Sequence, residues 1–299
     1  MKLSTDPEHR CGQVALVGRP NVGKSSLLNR LLGQKISIVT HKAQTTRHRI
    51  HGIHNLPGAQ IVFIDTPGIH AAGNALGRYM NQAACGAMQD ADIVVLVTDA
   101  TRWTAQDEIV LAAARDSGRP VGWVLNKIDR VHPRTRLLAI IAEGRERAPF
   151  AFIVPLSAQQ GDNIASLEQE LVAHLPVGPA LFEEDIPTDR SERFIAAELL
   201  REQLLLHLHE ELPYGMTVEI ERFVRTDTGL ELGAVIWVAR ESHKGMVIGK
   251  QGEQLKRIGR AARLEISAQW QEPVFLSLWV KVRENWADEP ALLTRFGYD

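Results

Sequence analysis

Three short stretches hold residue types that converge on phosphate chemistry. Gly18 to Ser25, GRPNVGKS, has the glycine spacing that lets backbone N–H groups face one cradle. That cradle takes in Gly18, Asn21, Val22, Gly23, Lys24, Ser25 and Ser26. Lys24 is the residue type that bridges β- and γ-phosphates, and the Ser25 hydroxyl the type that ligates Mg²⁺. Asp65-Thr66-Pro67-Gly68 follows an apolar run, as a Mg²⁺-holding carboxylate and a γ-phosphate-sensing N–H would. Between these two stretches lies QTTRHR, in which Thr46, ahead of its neighbour Thr45, can supply a further hydroxyl to the metal. Lys24, Thr46, Asp65 and Gly68 are thus the catalytic candidates, and Ser25, Thr46 and Asp65 the metal ligands. The residue after Gly68 is Ile69, where many nucleotide switches carry a glutamine that orients the attacking water. An isoleucine can do no such thing.

A phosphate loop alone leaves the base open. Asn126-Lys127-Ile128-Asp129 ends another apolar run. A carboxylate there can accept from the ring N–H and the exocyclic amine of guanine, a donor pair that adenine lacks. Asp129 would read the base, Asn126 and Lys127 would brace its loop, and Ser157-Ala158 would offer a backbone contact to the guanine oxygen. Each element in isolation is common; all of them in order, each at a strand end, are not.

The elements that must hold these residues are legible as a rhythm. QVALVG, IVFIDTPG, DIVVLVTDA, VGWVLNKID and FIVPLSA are β-branched and almost continuously apolar, as strands covered on both faces are. HRIHGIHNLPG adds one further strand. Most runs are followed by a helical pattern, which predicts an α/β sheet with ligands outside the strands' carboxyl ends. Residues 176–190, PVGPALFEEDIPTDR, carry three prolines and no period. The boundaries read as a first domain over 1–178, a linker over 179–192 and a second domain over 193–299. In the second, a helix from 193 to 212 precedes two strands joined across Thr226-Asp227-Thr228-Gly229, then KGMVIGKQG, a helix through Leu255 to Ala268, and the strand VFLSLWVKV.

Gly249-Lys250-Gln251-Gly252 is a GxxG between a short helical stretch and a longer helix. In that setting the glycines let nucleic-acid phosphates approach the main chain. From Arg240 to Arg263 seven Lys/Arg stand against two Glu, a basic patch in a chain whose net charge is only −2. Lys244, Gly249, Lys250, Gln251, Gly252, Lys256, Arg257 and Arg260 are the RNA-binding candidates. Aromatic residues near the loop are few, so affinity should come from backbone and hydrogen-bond contacts more than from stacking.

GRPNVGKS, QTTRHR, DTPG, NKID and the SA pair, with the GxxG half, resemble the Era branch of the translation-associated GTPases over essentially the whole chain. The resemblance implies an α/β fold class: a Ras-like P-loop GTPase domain followed by a smaller α+β type II KH domain of order α-β-β-α-α-β. It implies GTP and GDP as ligands, Mg²⁺ as cofactor, slow hydrolysis, and an RNA partner at the 3′ end of 16S rRNA in the 30S subunit. A hydrophobic residue after DxxG is the rule in that family, so Ile69 conforms. In related GTPases an asparagine at the place of Asn21 helps bind potassium beside the phosphates, which makes K⁺ an expected activator. The resemblance also brings a monomer in the cytoplasm, with peripheral association at the cytoplasmic membrane face as a further expectation. Coupling is expected through the switch region, including residues 69–77. The alternative is a nucleotide-bound RNA- or membrane-docking protein without significant turnover.

Composition is that of an ordinary globular chain, 44% hydrophobic and 23% charged. At 299 residues it has room for two cores. Cys11 and Cys85 cannot form a disulfide framework. The N-terminal stretch lacks a signal-peptide core, and no run reaches the ~20 apolar residues of a membrane span. His48, His51 and His54 alternate in facing if extended and do not converge on a metal. The helix beginning near 194 has a polar side of Glu198, Arg201, Glu202 and Glu210 without a basic excess, which favours packing under a sheet over a membrane surface.

Overall fold

Six of the apolar runs form one sheet, because each is flanked by helices that cover both faces. The computed structural model describes residues 8–69, 73–208 and 215–298. Its strands are β1 (Arg10–Val17), β2 (Ile50–Leu56), β3 (Ala59–Asp65), β4 (Ile93–Asp99), β5 (Val121–Asn126) and β6 (Ile153–Pro155). The order is β2-β3-β1-β4-β5-β6, parallel except for β2, which runs antiparallel to β3. The helices are α1 (Lys24–Leu32), α2 (Ala75–Asp90), α3 (Ala105–Asp116), α4 (Arg136–Arg147) and α5 (Ile164–His174).

Alternate residues of each strand serve opposite cores. Val14, Leu16, Phe63, Val95 and Val97 pack with Leu27, Leu28 and Leu31 of α1 and Leu167 and Leu171 of α5. Ala15, Val17, Ile64, Val94 and Leu96 pack with Ala84 and Met88 of α2, Val110 and Leu111 of α3, and Trp123 of β5. This is the two-residue period of a strand at work, and it explains why the runs read as apolar throughout. The chain leaves β1 for neighbours on either side, so the crevice beyond its carboxyl end is where a ligand belongs.

The contacts divide the chain into two units that are not two consecutive segments. One comprises Met1–Ser37, Thr46–Ala71 and Met80–Asp189; the other comprises Ile38–Thr45, Ala72–Tyr79 and Arg190–Asp299. The proline-rich stretch is bound along the first unit. Gln60, 1% exposed, accepts from the Leu181 and Phe182 N–H groups and donates to the Phe182 carbonyl. The Ile53 N–H donates to the Pro187 carbonyl, and His51 meets Asp189 at 2.6 Å. His54 instead meets Glu168, so these two histidines serve separate partners.

The second unit holds α6 (Glu192–His207), β7 (Met216–Thr226), β8 (Gly229–Val238), α7 (Glu241–Ile248), α8 (Glu253–Trp270), β9 (Val274–Val282) and α9 (Pro290–Arg295). Its order through β9 is the expected α-β-β-α-α-β. The hairpin β7–β8 turns through Asp227-Thr228, and β9 joins β8 in parallel. The core is Leu200 and Leu204 of α6, Ile236 and Val238 of β8, and Ile258 and Ala262 of α8.

The polar side of α6 differs from a solvated face. Glu198, Arg201 and Glu202 are all buried, with Arg201 donating to both oxygens of Glu198 at 2.7 and 2.6 Å. The early segment 38–45 accounts for this burial. Within this unit the Val39 N–H donates to Glu202 at 2.9 Å, Arg201 to the Thr45 carbonyl, and the Lys42 ammonium to the Leu208 carbonyl. Of the loop 69–77, residues 70–72 lie outside the described residues. Its later part also belongs to this unit, where the Ala75 and Leu76 N–H groups donate to Asp288 and to the Ala287 carbonyl. The helix expected to run to 212 ends at His207, with Leu208 in extended backbone, and residues 209–212, Glu210 included, lie outside the described residues. Among the described residues no helix is long and apolar enough to cross a membrane.

Gly144 of α4 gives this packing a test with a contested sign. Helix propensity alone expects Gly144→Ala to gain about 0.5–1 kcal/mol. A Cβ there, however, would lie 1.9 Å from Cζ3 of Trp123, a ring 1% exposed. Overpacking of that kind costs about 1–3 kcal/mol, and it should win. The urea midpoint followed by tryptophan fluorescence is expected to fall; a midpoint unchanged or raised would mean that the ring yields.

Candidate functional site

The loop between β1 and α1 is closed by two residues without side chains. Gly23 has φ 101°, and a Cβ on it would meet the Asn126 amide at 2.3 Å; a Cβ on Gly18 would meet the Val97 carbonyl at 2.4 Å. The Lys24 ammonium folds over this loop and donates to the Gly18 and Arg19 carbonyls at 2.9 and 3.2 Å. Burial pulls that ammonium down to about 8, with the Asp65 carboxylate pulling the other way. Val22 packs into the core behind the loop, Asn21 is exposed at its tip, and Ser26 is half-buried in the first turn of α1.

Ser25, Thr46 and Asp65, from three separate stretches, meet at one point. The Ser25 hydroxyl donates to Asp65 Oδ2 at 2.7 Å and stands 2.9 Å from Thr46 Oγ1, which is itself 3.4 Å from the same carboxylate oxygen. Thr45 instead bonds Thr40 and the Lys42 carbonyl, so Thr46 is the threonine at the site. Burial pushes the Asp65 carboxyl up, opposed by Lys24 and by the hydroxyls of Ser25, Ser37 and Thr46. Its other oxygen, Oδ1, is buried without a hydrogen-bond partner. Two hydroxyls and a carboxylate with one oxygen orphaned are the donor set of a hard divalent cation, so these residues fit Mg²⁺.

The Asp65–Gly68 loop lies against the phosphate loop. A Cβ on Gly68 would stand 2.9 Å from the Pro20 nitrogen and 3.0 Å from its ring. Only glycine allows that approach. Ile69 is 9% exposed and packs with the α2–α3 core, while its carbonyl accepts from Gln106 at 2.9 Å.

The base-reading loops are joined through Asn126. Its amide donates to the Val22 carbonyl at 2.8 Å, and its oxygen accepts from the Lys127 N–H at 2.8 Å and the Ala158 N–H at 3.0 Å. Lys127 reaches the Asn21 carbonyl at 2.6 Å and Asp99 at 2.9 Å. Asp99 is pushed up by burial, but Lys127 and Thr101 prevail and hold its carboxyl below the usual range. Ser157 donates to Asp129 at 2.6 Å, fixing the carboxylate expected to read guanine. Bracing by Asn126 and Lys127 is therefore explicit. The Ala158 N–H is directed at Asn126 here.

Five participants escaped the sequence. Ser37 donates to Asp65 at 2.9 Å, Arg30 donates to the Ala158 carbonyl at 2.9 Å, Asp99 anchors Lys127, and Arg19 pairs with buried Asp107 at 3.1 Å. Asp99 had a signal, since it ends β4 as Asp65 ends β3. Asp107 had one too, because Thr104-x-x-Asp107 has capping-box spacing. Ser37 and Arg30 had none.

The second site is the turn between α7 and α8. Gly249 and Gly252 have φ of 72° and 79°, and a Cβ on Gly249 would meet Gln254 Cβ at 2.5 Å. Lys250, Gln251, Lys256, Arg257 and Arg260 are exposed, and Lys244 is half-buried beside Glu241 at 3.4 Å. Gln254 holds the turn by donating to the His207 carbonyl, and it accepts from Arg257 at 2.9 Å. Met246, 58% exposed, adds an apolar patch on α7 that charge and glycine spacing did not flag.

Known proteins resemble this arrangement over its full length. A family profile described as 50S ribosome-binding GTPase matches residues 13–127, and one described as KH domain matches residues 211–287. GTPase Era of Stenotrophomonas maltophilia is 47% identical over 99% of this chain and all of that protein. GTPase Era of Xanthomonas axonopodis pv. citri is 48% identical over the whole of both. Among solved structures, an Aquifex aeolicus Era variant bound to GDP·AlF4⁻ superposes with a TM-score of 0.93 at 41% identity, covering 97% of this chain and 99% of that one. Era in complex with MgGDPNP and nucleotides 1506–1542 of 16S ribosomal RNA gives 0.94 at 40% identity, with the same coverage. A P-loop GTPase site followed by a KH domain, matched end to end at this identity, makes the chain a member of the Era family of GTPases.

Proposed function

We propose that this GTP hydrolase depends on Mg²⁺, binds the 3′ end of 16S rRNA through its GxxG turn, and serves 30S subunit assembly in the cytoplasm as a monomer. The observation that carries the reading is a full-length structural relative that holds MgGDPNP and 16S nucleotides at once. The profile over residues 13–127 names the large subunit, but it spans only part of the first unit; the full-length relative is the stronger guide. The domain reading of 1–178 and 193–299 joined by 179–192 is kept for chain order.

In this reading Ser25, Thr46 and Asp65 would hold Mg²⁺, which when bound neutralises charge on the β- and γ-phosphates. Lys24 gives up its carbonyl partners for the phosphates, and the backbone from Asn21 to Ser26 donates to them. The Gly68 N–H meets the γ-phosphate, while Asn126, Lys127 and Asp129 with Ser157 and Ala158 hold the guanine. Ile69 contributes to the core and leaves the water to be aligned by other groups. Residues 38–45, directly before Thr46, and 73–79, a few residues after Gly68, group with the RNA-binding unit, which supports nucleotide-dependent coupling through them.

Asn21, exposed at the loop tip with φ 64°, would help bind potassium there. Hydrolysis is expected to be about tenfold or more faster in potassium than in matched sodium buffer, an advantage lost in Asn21→Ala. Equal rates in the two salts would remove potassium from the mechanism.

RNA binding is tested with a labelled single-stranded 16S 3′-end oligonucleotide, titrated with GDP and then with a non-hydrolysable GTP analogue. Gly249 makes a poor control because a side chain there strains the fold itself. Lys250→Glu with Lys256→Glu is preferable, because both side chains are exposed and neither holds the turn. The variant should bind about tenfold or more weakly, with a shallower dependence of affinity on salt. Wild-type protein that ignores this oligonucleotide at low salt would defeat the rRNA assignment.

A further inference from the structure

One helical turn touches both of the loops that handle phosphate. In the first turn of α3, the Gln106 side-chain amide donates to the Ile69 carbonyl at 2.9 Å. The next residue, Asp107, is fully buried and accepts from Arg19 Nε at 3.1 Å, from the Thr104 N–H at 2.9 Å and from the Thr104 hydroxyl at 2.7 Å. Arg19 belongs to the phosphate loop, and its carbonyl is one of the two that accept from Lys24. Asp107 therefore ties α3 to the phosphate cradle through a buried ion pair, and Gln106 ties α3 to the residue directly after Gly68.

Ile69 is pinned twice, by its side chain in the core and by its carbonyl on Gln106. The Ile69 carbonyl lies in the peptide plane after Ile69 and the Gly68 N–H in the plane before Gly68, so the two are linked through the φ and ψ angles of both residues. Holding Ile69 by its side chain and its carbonyl limits how far those angles can turn the Gly68 N–H. We propose that Gln106 is a positioning residue for GTP hydrolysis, acting through the Ile69 carbonyl to keep the Gly68 N–H directed at the γ-phosphate. The chain thus carries a glutamine that serves the switch from α3 and not from the position after Gly68. This rests on the reading of Gly68 given above.

The competing account makes Gln106 an ordinary first-turn residue of α3. Gln106→Glu separates the two, because a carboxylate suits a helix N-terminus but cannot donate to a carbonyl. The full-length protein would be assayed for single-turnover hydrolysis at saturating GTP, for GDP affinity with a fluorescent analogue, and for thermal midpoint. Gln106→Glu and Gln106→Ala are expected to lower the rate constant by about three- to tenfold while GDP affinity stays within about twofold. The Gln106→Glu midpoint should not fall, and Gln106→Lys, which restores a donor, should recover about half of the rate or more. A wild-type rate in Gln106→Glu, or a loss of GDP affinity parallel to the loss of rate, would overturn the proposal. Gly68→Ala keeps the two levels apart. If it hydrolyses normally, the reading of Gly68 fails; if it is impaired while Gln106→Glu is not, only the role of Gln106 fails.

Discussion

A carboxylate with no exposed surface must be compensated, and Asp65 is such a carboxylate at the end of a strand buried along its whole length. The nucleotide site is organised around that debt. Lys24 supplies the opposite charge, and Ser25, Ser37 and Thr46 supply hydroxyls from two further loops. Lys24 and Ser25 arrive from β1, which pairs with β3 as far as Leu16 opposite Asp65, while Ser37 and Thr46 come from the connection between α1 and β2. The compensation is incomplete, since Oδ1 has no partner. An incompletely satisfied anion beside a lysine itself pulled down by burial is costly at rest. A divalent cation and phosphates would relieve both groups together, so the arrangement trades stability of the empty site for affinity toward the full one.

Close approach is the second constraint, and it is met by omission. Gly18, Gly23 and Gly68 lie where any side chain would strike backbone, amide or proline ring. The GxxG turn has the same build, with left-handed φ at both glycines and exposed cations alongside. One chain thus carries two turns built on bare backbone. They differ in burial. The first buries its lysine and the carboxylate beside it, while the second leaves Lys250, Lys256, Arg257 and Arg260 exposed.

Much of this was legible because phosphate and guanine chemistry restrict residue type at short spacing. Gly18 to Ser25, Asp65 to Gly68 and Asn126 to Asp129 could be assigned from adjacent residues alone, and the strands behind them from apolar runs. Pairs distant in sequence could not be read. Arg19 and Asp107 are 88 residues apart, Ser37 and Asp65 are 28, and Gln106 and Ile69 are 37. Nothing local to either member announces the other. The polar side of α6 shows the same limit. A row of Glu198, Arg201 and Glu202 is compatible with water or with partners, and only a segment 156 residues upstream of Arg201 decides for partners. Charge patterning gives the existence of a polar face, not what satisfies it.

Ile69 joins these strands of argument. In a switch with a glutamine after Gly68, one side chain both samples the γ-phosphate environment and orients water. Here that position is given to the core, so the backbone beside it gains an apolar anchor and loses a catalytic side chain. Gly68 is then defined from both sides, by contact with Pro20 before it and by the fixed Ile69 after it. With Ile69 in the core, this stretch offers no side chain that could orient water. Rate must then come from groups outside the loop, and these can be supplied or withheld.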